Sequence, residues 1–183
     1  MSHKLLRFAL ASVLAVAMAA SAQASEKQVA RGKYLVTLGG CIDCHTPGYF
    51  LGKPDFKHVL GGSDVGFELP MGTFYGPNLT PDKETGLGNW TAKQIVTAIQ
   101  TGHTPQGREL APIMPWRALS HLTRYDAYAI AAYLKSLPPY KNQVIGPFGP
   151  KQPSPGFVMR VVPPQAAAPA PASAPAPAPA PAK

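Results

Sequence analysis

The stretch Cys41-Ile42-Asp43-Cys44-His45 constrains this chain more than any other. Two thiols three positions apart can each form a thioether with one vinyl group of a haem, and the histidine behind them is then placed under the iron as its proximal ligand. A zinc site wants four ligands, and Cys41 and Cys44 are the only cysteines present. A redox dithiol has no need of a histidine directly behind it. The pattern therefore predicts one covalent haem c, anchored by Cys41 and Cys44 and ligated by His45. With both thiols committed no structural disulfide remains, so the haem must serve as much of the core.

The chain has 183 residues, and three regions separate by composition. Lys4 and Arg7 precede an apolar run from Phe8 to Ala20, and Ala22-Gln23-Ala24 supplies an A-x-A cleavage site, so residues 1–24 read as a secretory signal that is removed. The run is shorter than the roughly 20 apolar residues of a bilayer span. Residues 25–160 read as the monohaem domain. From Pro163 onward the chain is almost only Ala and Pro and holds 8 of the 22 prolines, so 161–183 is expected to be a disordered, partly polyproline II tail. Loss of Lys4 and Arg7 with the signal lowers the formal charge from +8 to +6. A basic surface speeds docking onto an acidic protein partner. Nucleic acid is excluded as a partner by the exported address and by cations scattered over the chain rather than gathered on one helix face.

Within the domain, Val29, Ala30, Tyr34, Val36 and Leu38 predict a short amphipathic helix running into the haem motif, with Gly32 permitting close approach of another helix. Thr91 and Gln94 have capping-box spacing, and Ile95, Val96 and Ile99 form one apolar stripe before Gly102. A last helix opens at Thr123, with Asp126 at the box position, and ends before Pro138-Pro139. Thr46 to Asn89 is rich in Gly and Pro and reads as loop, which needs something to wrap around. No stretch has sustained strand alternation. The expected class is all-α, with short helices and long loops around one haem.

The iron's second axial position decides the chemistry. Met71 and Met114 are the main thioether candidates, and Met159 is less attractive because it lies beyond the last helix. Pro112 and Pro115 brace the loop that carries Met114. His58, His103 and His121 sit in polar loops and read as surface residues rather than ligands. Asp82 and Glu84 read as part of a turn, with too few ligands for calcium. Asn78-Leu79-Thr80 and Asn89-Trp90-Thr91 match the glycosylation pattern but are discounted, since the haem loop needs both.

From Glu26 to Leu137 the motif order resembles that of class I c-type cytochromes: the haem motif, Gly76-Pro77-Asn78-Leu79, Gly88-Asn89-Trp90, the Met114 loop and Ala132 to Lys135 in the last helix. Phe74 to Asp82, Glu84-Thr85-Gly86-Leu87-Gly88 and Met114-Pro115 are similar to the haem domains of cytochrome c subunits of bacterial alcohol, gluconate and aldehyde dehydrogenases. The resemblance implies the class I cytochrome c fold, Met114 as distal ligand, and Pro77 as the residue whose carbonyl accepts the His45 Nδ1 proton. It also implies that Leu79 packs on the haem edge, that Trp90 aims its N–H at a propionate, and that the first and last helices cross at Gly32 and Tyr133. Those subunits usually carry several haem domains and a membrane segment, whereas this sequence has one C-x-x-C-H and no later apolar span.

The reading that follows is a periplasmic one-electron carrier or electron-transfer subunit, not itself an enzyme, with a single His/Met-ligated haem c. It would pass electrons from a dehydrogenase to an oxidase or cytochrome of the respiratory chain, and would meet the membrane only through its partners. The alternative is a haem enzyme or sensor, peroxidase-like, with an open distal site. A third reading makes the Ala/Pro tail a recruiting segment for a larger complex.

Overall fold

The computed structural model describes residues 25–160, so the expected secretory signal (1–24) and the expected Ala/Pro tail (161–183) lie outside the described residues. Five helices follow one another: α1 (25–38), α2 (Cys41–His45), α3 (Ala92–Thr101), α4 (Trp116–Leu119) and α5 (Arg124–Ser136). Two short 3-10 turns, Tyr49–Leu51 and Phe56–His58, fall in the long connection after α2. Among the described residues no helix is long and apolar enough to cross a membrane.

The helix ends follow their sequence signals. Thr91 Oγ1 accepts from Gln94 N at 3.2 Å while Gln94 Oε1 accepts from Thr91 N at 2.8 Å, which satisfies two otherwise orphaned donors at the start of α3. Gly102 closes that helix in the left-handed region (φ 76°), its N–H bonded to Ala98 O. Thr123 caps α5 by accepting from Asp126 N. Leu137 is extended, as expected for a residue before proline.

Helix α5 is the spine of the core, burying Ala127, Ala129, Ile130, Ala131, Tyr133 and Leu134. Val36 from α1, Ile95 and Val96 from α3, and Leu60 from the long loop complete the buried cluster. Helix α1 crosses α5 at Gly32. A Cβ there would lie 2.6 Å from the Ala129 carbonyl carbon and 2.8 Å from Tyr133 Cβ, so only glycine lets the two backbones meet. Arg31 Nε and Asp126 Oδ1, 2.8 Å apart, fasten the same crossing from outside.

The all-α expectation needs correction. Residues 65–75 form an antiparallel hairpin, β1 (Val65–Leu69) and β2 (Gly72–Tyr75), and β3 (Phe157–Arg160) pairs in parallel with β1 to give the order β2-β1-β3. The hairpin escaped detection because its two-residue connection is Pro70-Met71, not one of the Asn-Gly or Gly-containing pairs that mark tight hairpins. Gly72, at φ 138°, absorbs the distortion. The third strand comes from beyond the last helix, a pairing with no local signal.

Between α5 and β3 the chain forms a strap. Tyr140 stacks on His58 with centroids 3.9 Å apart, Phe148 exchanges both backbone hydrogen bonds with Thr73 (2.9 and 3.0 Å), and the Tyr75 hydroxyl meets Ser154 Oγ and donates to Phe157 O. The helical core is thereby tied to the sheet on the side of the long loop.

Candidate haem site

The haem motif forms its own short helix. Gly39 N bonds back to Leu35 O at the end of α1, and Gly40 at φ 67° turns the chain so that α2 starts immediately. Cys41 and Cys44, three apart on a helix, fall on one face. Both thiols are free and half-buried, and burial pushes their pKa values upward.

His45 is buried, at 6% exposure. Burial holds its imidazole below the ordinary histidine pKa, against a smaller opposite pull from the Pro77 carbonyl. Its Nδ1 lies 2.8 Å from Pro77 O. A carbonyl can only accept, so Nδ1 must carry the proton and the neutral ring keeps the Nε2 lone pair for a metal. A carbonyl in this position orients a histidine for metal binding and raises the basicity of its free nitrogen. Gly76 makes it possible: a Cβ there would lie 2.9 Å from the Cys44 carbonyl carbon, closer still to its oxygen, and 3.3 Å from His45 Nδ1.

Asn78, next to Pro77, is 2% exposed and uses its whole amide. Its Oδ1 accepts from Thr80 N (2.9 Å) and Thr80 Oγ1 (2.7 Å), and its Nδ2 donates to Tyr140 O (2.7 Å) and Thr85 Oγ1 (3.0 Å). The sequence places Asn78 in the Gly76-Pro77-Asn78-Leu79 motif and in a discounted glycosylation pattern, and the structure makes it a buried hub. Asp82 Oδ1 accepts from Glu84 N, Thr85 N and Thr85 Oγ1, and the Thr85 hydroxyl above all holds this carboxyl below its usual range. That carboxylate therefore closes a turn.

Leu79 is half-buried against the core, its N–H bonded to Leu60 O. Trp90 is also half-buried against the core, and its carbonyl accepts from Lys135 Nζ at 2.8 Å. The indole whose N–H is both buried and without a partner is a different one. Trp116 Nε1 is the buried side-chain polar atom without a hydrogen-bond partner among the described residues, and its ring lies directly on Gly102.

Met114 is half-buried in a tight turn, with its N bonded to Ala111 O and its O accepting from Trp116 N. Pro115 then opens α4, which packs on α3. Met71 instead sits on the hairpin connection at 49% exposure, and Met159 lies in β3 at 40% exposure. His103 is exposed and held by Thr101 O, His58 is engaged with Asp55 (2.6 Å) and Tyr140, and His121 is exposed. The structure thus brings Cys41, Cys44, His45, Gly76 and Pro77 into one constellation and gives Met114 a braced turn of its own.

The family model described as cytochrome c matches residues 29–138, which spans every one of these positions. The chain belongs to the cytochrome c family. Among curated proteins, this cytochrome c domain is 34% identical over 133 residues to the fructose dehydrogenase cytochrome subunit of Gluconobacter japonicus, covering 69% of this chain and 26% of that one. It is 36% identical over 116 residues to the cytochrome c subunit of the quinone-dependent alcohol dehydrogenase of Gluconobacter oxydans (63% and 23%). It is 34% identical over 124 residues to the gluconate 2-dehydrogenase cytochrome c subunit of Pantoea cypripedii (66% and 25%). The match spans about a quarter of the length of these relatives. The cofactor of a cytochrome c domain is haem c, and the residues present fit it: two unbridged thiols on one helix face, and a neutral buried imidazole whose Nδ1 is already committed.

Proposed function

We propose that this protein transfers single electrons through one haem c, bound covalently by Cys41 and Cys44 and ligated by His45 and Met114. Haem supplies the one-electron iron couple. The chain's own residues hold the histidine ring, exclude water from it and brace the methionine turn. Leu79 would pack at the haem edge, and the Trp90 N–H would serve a propionate.

The observation that carries the reading is the 2.8 Å contact between His45 Nδ1 and Pro77 O, which leaves Nε2 as the only ring nitrogen able to bind iron. Met114 is preferred as the second ligand because its turn is braced by Pro112 and Pro115 and half-buried, whereas Met71 and Met159 face solvent. A thioether fills the second position and favours the reduced iron, so the site passes electrons and leaves bond-making to a partner. The work is done in the periplasm after removal of residues 1–24. The names of the relatives support a dehydrogenase as electron donor; the acceptor in this reading is a cytochrome or oxidase of the respiratory chain. The excess of Lys and Arg over Asp and Glu favours acidic docking surfaces on both.

Spectroscopy of the purified protein tests this. Low-spin ferric iron with the weak far-red band of thioether ligation is expected, and Met114→Ala should give high-spin iron that binds cyanide or carbon monoxide readily. A wild-type protein that is already high-spin and binds these ligands would overturn the closed site in favour of an open-site haem enzyme or sensor.

A further inference from the structure

The family match ends at residue 138, yet the chain continues in ordered structure to residue 160. We propose that the strap segment Tyr140–Val144 is a positioning element for the proximal ligand: it fixes the Pro77 carbonyl against His45 Nδ1 and thereby helps set the reduction potential. The inference rests on His45 ligating haem iron.

Two passes of the chain flank His45, and the strap pins both. The first pass is 60–63, where Gly62 N donates to the His45 carbonyl at 2.7 Å. Asn142 Nδ2 donates to Gly61 O at 2.9 Å on this pass. A Cβ on Gly62 would overlap the Val144 side chain and lie 3.2 Å from Asn142 Nδ2, and a Cβ on Gly61 would lie 2.6 Å from the Tyr140 ring. The second pass is 76–80. The Pro77 carbonyl and the Asn78 nitrogen belong to one rigid peptide plane, so whatever fixes Asn78 also aims the carbonyl.

Asn78 is fixed by the strap. Its Nδ2 reaches Tyr140 O at 2.7 Å, Tyr140 N donates to Thr80 Oγ1 at 3.1 Å, and Asn142 N donates to the same Thr85 Oγ1 that accepts from Asn78. Asn78 and Thr80 are 2% and 1% exposed, so water does not compete for these bonds while the strap is docked, and undocking would exchange fixed partners for mobile ones. The amide is therefore fully satisfied only while residues 140–142 are docked.

A stronger hydrogen bond from Nδ1 makes Nε2 a better donor to ferric iron and lowers the potential. Loosening the strap should do the opposite. The test uses the full-length holoprotein with Tyr140→Ala, which removes the ring stacked on His58, and the milder Asn142→Ala. Arg160→Ala, at the far end of the strap on its ion pair with Glu68, is the control. Two readouts apply: the reduction potential, and the hydrogen-exchange rate of the His45 Nδ1 proton followed by NMR.

Both strap variants should shift the equilibrium toward ferrous iron about threefold, which is about 28 mV on the scale of 59 mV per tenfold for one electron. Exchange of the Nδ1 proton should accelerate about tenfold, with the control unchanged in both. Covalent haem with normal histidine ligation, but wild-type potential and exchange in Asn142→Ala, would overturn the positioning role alone. Wild-type protein without covalent haem would overturn it together with the function it rests on.

Discussion

Gly76→Ala is the most direct probe of the site's construction. Gly76 is not among the residues with positive φ, so the penalty of a side chain there is steric rather than conformational. The new Cβ would lie 2.9 Å from the Cys44 carbonyl carbon and nearer to its oxygen. Both are backbone atoms of the haem-motif helix and cannot swing aside. Normal van der Waals contact needs roughly 3.5 Å or more between carbons, so the 76–77 segment and α2 must separate by several tenths of an ångström at the least. A hydrogen bond of 2.8 Å stretched by that amount passes out of the useful range. Overpacking of this kind typically costs about 1–3 kcal/mol. Loss of the buried bond to His45 adds about 1 kcal/mol, for a total on the order of 2–4 kcal/mol. Guanidinium unfolding of the holoprotein, followed by haem absorbance, measures this as a lowered midpoint at unchanged m-value. The reduction potential should rise in the same variant. A midpoint and potential equal to wild type would refute the claim that glycine is required for the Pro77 carbonyl to reach His45.

Other expectations follow from the helices. Gly32→Ala puts a Cβ against Ala129 and Tyr133 across the α1–α5 crossing and should destabilise by about 2–3 kcal/mol, read by thermal unfolding. Thr91→Ala removes one half of the α3 capping box and should cost about 1 kcal/mol while leaving the haem spectrum unchanged, since no contact of Thr91 reaches the haem motif. Asp126 is held below the usual carboxylate range, first by its hydrogen bond from Arg31, so its contribution is present above the ordinary aspartate pKa and lost as pH falls through the depressed folded value. Asp126→Asn should therefore lower the thermal midpoint at neutral pH. The gap to wild type should close in acid, and a gap independent of pH would count against the ion pair.

What the sequence disclosed and what it hid divide along one physical line. The haem-binding family was legible because its motif is compressed into five contiguous residues, Cys41 to His45. Helices α3 and α5 were legible because Thr91, Gln94, Thr123 and Asp126 act on backbone groups within one turn. The sheet was not, because β1 gains its third strand from residues about 90 positions away and its hairpin uses Pro70-Met71 where a glycine pair would announce a turn. Asn78 was hidden for the same reason. Its partners Thr80 and Thr85 are near in sequence, but Tyr140 is 62 residues away and contributes a backbone carbonyl, which no side-chain pattern encodes. The Pro77 contact came into view only through family resemblance, since a carbonyl bond across 32 residues leaves no mark in composition.

This division also applies to the two proposed iron ligands. His45 is held by bonds to Pro77, by Gly62 on its own carbonyl, and behind these by a network reaching residues 140–142, all of them long-range. Met114 is held by a turn closed within Ala111–Trp116 and by the Trp116 ring on Gly102, with one indole N–H left unsatisfied. Long-range bonds that share partners break together, at a cost near that of global unfolding, whereas a local turn can open alone. The methionine side should therefore open first under mild denaturant or heat, while the histidine stays in place. Since Cys41 and Cys44, the proposed covalent anchors, adjoin His45, the more cooperative side of the protein would also be the side from which haem cannot leave. With His45 and Met114 as the proposed ligands, reversible opening of the iron is expected at Met114.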